Sequence, residues 1–279
     1  MSAPRRLIVE VRGGLLSGAK ALLAPGEALR IGRTERAHLV IPHDQHLSGL
    51  HCELTWDGET CRIRDADSAE GTRLAGALLD GPATVPHGGW IKAGETSLMV
   101  YQEAFSPPRL PPLDPALASA AARARQLLGA RPGRLHAVLD AARDERILEL
   151  LRESVDPCRS LYDGVKGEAL ADVAPYLVSF RRDSGLLDRL LQEGWGRSWG
   201  VFVSSGAAFP AVRRHFRRFL LVEEEGAGER MYFRYYDPRV LREFMPIATP
   251  RQKDDLFEGL DALLLEGEGG ELLTFEAKS

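Results

Sequence analysis

Residues 31–51 read IGRTERAHLVIPHDQHLSGLH, and this stretch decides the first half of the chain. Leu29 and Ile31 close a short apolar strand at Gly32-Arg33, Leu39-Val40-Ile41 forms a second, and a polar loop leads to Ser48-x-x-His51, which opens a third. Gly32 lets the backbone turn where a side chain would obstruct it. Arg33 offers a planar fork of donors matched to carboxylate or phosphate. Ser48 places a hydroxyl at a loop tip, and His51 can hydrogen-bond the loop backbone and hold its shape.

Working outward, residues 5–103 read as all-β. Leu7–Val11 is a strand closed by Gly13-Gly14. His51–Trp56 alternates faces and stops at the hairpin signal Asp57-Gly58, and Cys61–Asp65 returns. Gly71–Leu74 is short. Trp90–Lys92 and Ser97–Tyr101 finish the set around Ala93-Gly94. Many short strands separated by glycine-marked turns predict a sandwich.

Gly32-Arg33 followed by Ser48-x-x-His51 resembles the forkhead-associated (FHA) domain, a family that reads phosphothreonine peptides. The resemblance implies a phosphopeptide-binding set of Gly32, Arg33, Ser48, His51, Gly71 and Thr72. Three departures stand out. The family's Asn-Gly-Thr is here Glu70-Gly71-Thr72, a second common Asn is replaced at Ala75-Gly76, and the Arg that often follows the loop Ser is Gly49. An amide both donates and accepts, whereas an ionised Glu70 only accepts and repels phosphate. The alternative left open is an FHA scaffold reused as an ordinary protein-docking module.

Residues 105–134 read as a linker. Pro107, Pro108, Pro111, Pro112 and Pro115 favour extended structure, and Ala116–Leu128 is an Ala/Arg-rich helix ended by Gly129. From Leu135 strands and helices alternate. Leu135–Ala142, Arg159–Gly164, Tyr176–Phe180 and Trp199–Val203 read as strands, the last of them central. Glu145–Glu153 is a helix, Ser184 and Ser205 are expected to cap two more, and Leu220–Glu224 with Met231–Asp237 forms a hairpin. Asp237-Pro238 starts a helix that Pro246 ends, Thr249–Gln252 has the form of a capping box, and Leu263–Glu266 and Glu271–Glu276 flank a Gly-rich turn. This alternation predicts an α/β domain over 135–279.

The stretches LYDGVKGEALADVAPYLV (161–178), WGRSWGVFVSS (195–205), RRHFRRFL (213–220) and YFRYYDPRVLREFMP (232–246) resemble the adaptor family of bacterial type VI secretion, catalogued as a domain of unknown function. The likeness covers about 135–265. Its members are encoded between a valine-glycine-repeat spike protein and a toxin effector, and help load that effector onto the spike. The resemblance therefore implies a toxin effector and a spike protein as partners.

Chemistry by motif is sparse. There is no Gly-x-Ser-x-Gly elbow, P-loop or dinucleotide fingerprint, and no His or Cys spacing that suggests a metal. A thiol triad of Cys158, His136 and Asp140 has no support in local sequence. Two clusters suit partner binding instead. Arg213, Arg214, Arg217 and Arg218 stack on one helix opposite Phe209, Val212 and Phe216, either as a solvated face or as a docking stripe for an acidic partner. Strand alternation would place Tyr232, Arg234 and Tyr236 on one face, a composition favoured for interface anchors.

With 36 Lys and Arg against 40 Asp and Glu the net charge is −4, which gives no case for nucleic acid or an anionic membrane. No run is long and apolar enough for a membrane helix. Three unpatterned cysteines suit a reducing compartment, here read as the cytoplasm. The expected architecture is multidomain. An all-β FHA sandwich spans 1–104, a Pro-rich linker with a short helix spans 105–134, and an α/β adaptor domain spans 135–279. The expected function is a non-catalytic effector adaptor without a cofactor. The alternative is a phosphothreonine-dependent signalling module.

Overall fold

In the computed structural model, described for residues 6–13, 16–182, 185–223 and 230–277, the chain divides into two compact units. One is Met1–Ser106 with Arg152–Val155, the other Pro107–Leu151 with Asp156–Ser279.

The first unit is a β-sandwich. Its strands are β1 (Leu7–Val11), β2 (Lys20–Leu23), β3 (Ala28–Gly32), β4 (Leu39–Val40), β5 (Cys52–Trp56), β6 (Cys61–Asp65), β7 (Thr72–Leu74), β8 (Ala77–Leu78), β9 (Ala83–Val85), β10 (Gly89–Ala93) and β11 (Thr96–Gln102). One sheet runs β2-β1-β11-β10-β7-β8 and the other β4-β3-β5-β6-β9. The period-2 pattern sets the facing. Cys52, Leu54 and Trp56 of β5 and Cys61 and Ile63 of β6 point inward, where they meet Ile31, Ile91, Leu98 and Val100. Burial pushes the Cys52 and Cys61 thiols up to about 12, so both behave as small apolar groups. Three strands carried no clear sequence signal. β2 (KALL) lacks alternation, β8 has two exposed residues, and β9 has three residues between Pro82 and Pro86.

The second unit contains α1 (Pro115–Gly129), β12 (Arg134–Asp140), α2 (Glu145–Arg152), β13 (Cys158–Ser160), α3 (Gly164–Ala169), β14 (Pro175–Ser179), α4 (Leu186–Gly194), β15 (Gly200–Ser205) and α5 (Phe209–Arg217). It continues with β16 (Leu221–Glu223), β17 (Arg230–Tyr232), α6 (Pro238–Ile247), α7 (Pro250–Phe257), β18 (Ala262–Glu266) and β19 (Leu272–Glu276). Its main sheet, β13-β14-β12-β15-β18-β19, is antiparallel at every described pairing, with β12 and β15 at its centre. Val138, Leu177, Val201, Val203 and Leu263 on one face pack with Val212 and Phe216 of α5, Leu241 and Met245 of α6 and Leu256 of α7. Leu139 and Phe202 on the other face meet Leu190 and Leu191 of α4 with Trp195 and Trp199.

Several expectations are corrected by this packing. The helix read as part of a linker is seated on α4. Its small face of Ala120, Ala121 and Ala124 is buried with Leu128, and Arg125 pairs with Asp188. Ser205 does not cap α5. That helix begins after Ala208, because Ser205 Oγ instead donates to Gly259 O at 2.7 Å and accepts from Ala207 N. The expected hairpin is the pair β16–β17, and its second strand ends at Tyr232. Asp237 and Thr249 do cap α6 and α7, the latter as a reciprocal box with Gln252. α6 includes Pro246 in its last turn and runs on to Ile247. The proposed cap at Ser184 lies outside the described residues.

His136, on the central strand β12, is wholly buried, and among the described residues neither ring nitrogen has a hydrogen-bond partner. Burial, with Arg134 nearby, pushes its pKa down to about 4. The unfolded chain binds a proton near pH 6.5 that the folded chain refuses until about pH 4, so stability present above 6.5 is lost as pH falls through that window. The loss should approach about 3 kcal/mol. Urea unfolding of the full chain across this range measures it. The expected outcome is a flatter pH dependence in His136→Met, and an unchanged slope in that variant would show that the acid sensitivity comes from elsewhere.

Candidate functional site

The first candidate site is built where the β3–β4, β4–β5 and β6–β7 loops meet. A Cβ on Gly32 would lie 2.4 Å from Gly49 O, so only glycine admits this approach of the two loops. The approach is then fixed by hydrogen bonds. Arg33 N donates to Ser48 O at 3.0 Å, and Thr34 donates to Gly49 O through both N (3.2 Å) and Oγ1 (2.9 Å). His51, 0% exposed, accepts from Ser48 N at Nδ1 (3.0 Å) and faces Gly71 O through Nε2 (3.3 Å). Nε2 must carry the proton to donate to that carbonyl, which leaves Nδ1 as the acceptor. His51 is therefore a tie between loops. Thr72 is likewise buried, its hydroxyl donating to Asp65 Oδ1 at 2.5 Å, and Gly71 takes a positive φ of 74°.

Two residues keep donors free for a ligand. Arg33 Nε donates to Leu47 O at 3.2 Å, and its terminal nitrogens have no hydrogen-bond partner among the described residues. Ser48 Oγ accepts from Ala69 N at 3.0 Å, so its own proton remains to be given. A half-buried guanidinium beside a fixed hydroxyl is suited to an anion. Of the six residues expected here, Arg33 and Ser48 present chemistry, while Gly32, His51, Gly71 and Thr72 shape the loops.

Sequence reading missed the residues that hold these loops in place. Burial alone would raise the Asp44 carboxyl, but hydrogen bonds from Thr96, His46 and Glu95 hold it below the usual range. Asp65 is similar, with Ser68 and Thr72 overcoming desolvation. An Asp followed two or three residues later by a turn is a local signal for such bonds, and Asp65-x-x-Ser68 carries it.

Glu70, standing where the family places Asn, is engaged by His46: Nδ1 lies 2.6 Å from Glu70 Oε1, and Nε2 lies 3.7 Å from Glu95 Oε1. The Glu70 hydrogen bond, followed by the fields of Glu70 and Glu95, raises the His46 pKa above its ordinary value. The pair is charged below that raised pKa and loses its attraction as pH rises through it. An NMR titration should place His46 above 6.5, and Glu70→Gln should bring it down. An unshifted His46 in the native chain would rule out the pair.

The second unit's expected residues distribute differently. The arginines of α5 do not form a free stripe. Arg213 donates to Ser160 O at 2.9 and 2.6 Å and to Asp163 at 2.5 Å, and Arg217 donates to Leu161 O and pairs with Asp163 at 2.7 Å. Arg218 is taken up by Glu258 and by His215 Nδ1. Arg214 stays exposed. Nor do Tyr232, Arg234 and Tyr236 share a strand face, because the chain leaves β17 at Tyr232 and turns. Tyr232 is 65% exposed and Tyr236 is buried. Arg234 is instead drawn onto the buried carboxylate of Asp140. Cys158, His136 and Asp140 are not brought together. The Cys158 thiol faces Leu151 O, and Asp140 is held by Arg234. Among the described residues no group of His, Cys, Asp and Glu is arranged to hold a metal, and no helix is long and apolar enough to cross a membrane.

Comparison with known proteins matches residues 29–94 to the FHA domain and residues 135–255 to a domain of unknown function, DUF4123. The chain is an FHA domain followed by a DUF4123 domain. Similar solved structures include the FHA domain of a Chlamydia trachomatis protein, 20% identical, covering 34% of this chain and 96% of that one, with a TM-score of 0.33. The FHA domain of an Arabidopsis thaliana hypothetical protein is 30% identical over 36% of this chain and 87% of its own, with a TM-score of 0.33. Mycobacterium tuberculosis EmbR in complex with a low-affinity phosphopeptide is 20% identical over 34% of this chain and 24% of its own, with a TM-score of 0.31. No curated protein matches the chain.

Proposed function

We propose that this protein is a non-catalytic adaptor of type VI secretion, acting in the cytoplasm. It holds a toxin effector and helps load it onto the valine-glycine-repeat spike, while the FHA module docks a phosphothreonine-bearing protein. The observation that carries the reading is the fusion itself, a DUF4123 domain at 135–255 beside an FHA module that keeps Arg33 and Ser48 donors free. The adaptor role rests on the sequence resemblance of the second domain. Neither domain belongs to a known catalytic family. Co-expression of the full chain with the effector and spike encoded beside it, followed by affinity purification, tests the role. Retention of the effector supports it, and loss of both partners under conditions where the chain is folded removes it.

A second reading, a phosphothreonine-dependent signalling module, is favoured by the same Arg33–Ser48 geometry. It predicts tight phosphopeptide binding without retention of effector or spike.

Both readings give Arg33 the same task. A hydrogen bond to a charged group is worth about 1.5–3 kcal/mol, so Arg33→Ala should weaken phosphothreonine-peptide binding roughly ten- to a hundredfold. Glu70→Asn removes a negative charge from the loop and supplies an amide, and should strengthen binding. Calorimetry with phosphorylated and unphosphorylated peptides decides the matter. Equal affinity for the two forms would leave the FHA domain as a plain docking scaffold.

A further inference from the structure

At one end of the second unit's sheet two arginines are each held by a buried carboxylate. Asp140 closes β12 and is 1% exposed, and Arg234 Nη2 donates to its Oδ2. Asp237, the cap of α6, is equally buried, and Arg239 donates to it through Nε (3.0 Å) and Nη2 (2.7 Å). The field of Asp140 reaches Arg239 and that of Asp237 reaches Arg234, so the two pairs are neighbours. Both guanidiniums are nonetheless half open, 43% and 49% exposed. Among the described residues Arg234 Nε and Nη1 and Arg239 Nη1 have no acceptor. A carboxylate that fixes one edge of a guanidinium orients the other edge before any ligand arrives, which lowers the ordering cost of binding.

The surroundings state what the outward edges would take. Arg143 adds its charge beside Asp237. Next to Tyr162, Asp163 is faced by both Arg213 and Arg217. Glu266 also acts on Arg239, so around this end of the sheet the five arginines named here meet four carboxylates, in a chain whose net charge is −4. Aromatic surface lies alongside. The Arg234 guanidinium stands 5.9 Å from the centre of the Tyr236 ring, the Tyr162 hydroxyl lies near that of Tyr236, and Tyr232 is exposed. Exposed Tyr beside oriented Arg is the composition of an interface anchor.

We propose that Arg234, Arg239 and Tyr232 form a docking point for an acidic peptide segment of a partner protein, carboxylates meeting the outward guanidinium edges and an apolar side chain covering Tyr232. This rests on the reading of the second domain as a partner-holding module and names the chemistry that it holds. It is separate from the FHA loops and needs no phosphate.

The test uses the full chain and a fluorescein-labelled peptide alternating Glu, Leu and Tyr, with the same peptide carrying Gln for Glu, read by fluorescence anisotropy. Arg234 is left in place, since removing it would strand Asp140 in the interior. Arg239→Gln keeps an amide donor for Asp237, whose Oδ1 also accepts from the Arg239 backbone N, and Tyr232→Ala changes an exposed side chain. The acidic peptide should bind at least about tenfold more tightly than its Gln counterpart, and Arg239→Gln should erase most of that difference. Tyr232→Ala should weaken both peptides, while Arg33→Ala should leave both unchanged. Absent binding of the acidic peptide, equal binding of the two peptides, or full binding by both variants with an unchanged circular dichroism spectrum would overturn the proposal. The effector assay separates the underlying reading. An effector retained equally by the native chain, Arg239→Gln and Tyr232→Ala removes this site and keeps the adaptor. Acidic-peptide binding with no effector retained removes the adaptor and keeps the site.

Discussion

The contact between Gly32 and the Gly49 carbonyl is the constraint on which the FHA loops depend. It brings the β3–β4 and β4–β5 loops closer than any Cβ would permit, and every later tie assumes that spacing. Thr34 reaches Gly49 O, Arg33 reaches Leu47 O, and His51 bridges Ser48 to Gly71 because the backbones already lie side by side. Substitution at Gly32 would therefore disperse Arg33 and Ser48 before it touched their chemistry. His51 works at the same level. A wholly buried imidazole with both nitrogens engaged is a structural strut, and its distance from any ligand is no measure of its importance to one.

In the second domain the equivalent constraint is electrostatic. Arg146 of α2 is buried and donates to Glu193 of α4 at 2.9 and 3.2 Å, while Arg189 joins the same carboxylate. Charges taken this far from water are tolerated only when they are paired and hydrogen-bonded together. Such a network adds little net stability over apolar packing, but breaking one member would leave an uncompensated charge in the interior. Asp140 and Asp237 follow the same rule with half-exposed arginines, so their partners stay available to solvent on one edge.

How much of this was legible in the sequence depended on whether the signal was local. The strands around residues 52–65 and the caps at Asp237 and Thr249 could be read because their alternation and hydrogen bonds span a few residues. The loop residues Gly32, Arg33, Ser48 and His51 could be picked out because their spacing is fixed within one short stretch. The partners of Arg213 and Arg217 lie at Ser160–Asp163, some fifty residues away, and no periodicity of α5 announces them. Tyr236 misled for a different reason. Strand alternation was extended past Tyr232, but the chain turns there to enter α6, and Tyr236 follows Tyr235 into the core against Phe216. Ser205 was read as a cap from its place before a helix, whereas the carbonyl of Gly259, brought near by the sheet, competes for its hydroxyl.

Each candidate site has a carboxylate among its charged groups, and the two differ in how that carboxylate is held. At the FHA loops the carboxylate, Glu70, is exposed and paired with His46, whose pKa that contact raises. Its repulsion of an incoming phosphate is masked while His46 is charged and returns as pH rises through the raised His46 pKa. In the second domain the opposing carboxylates are buried against their arginines. For Asp237, burial alone would raise the carboxyl, but hydrogen bonds from Arg239 and the fields of Arg239 and Arg143 hold it below the usual range. That opposition is constant across neutral pH and acts to orient the guanidinium. One site therefore carries a pH-variable charge beside its free donors, and the other a fixed cradle for its guanidiniums.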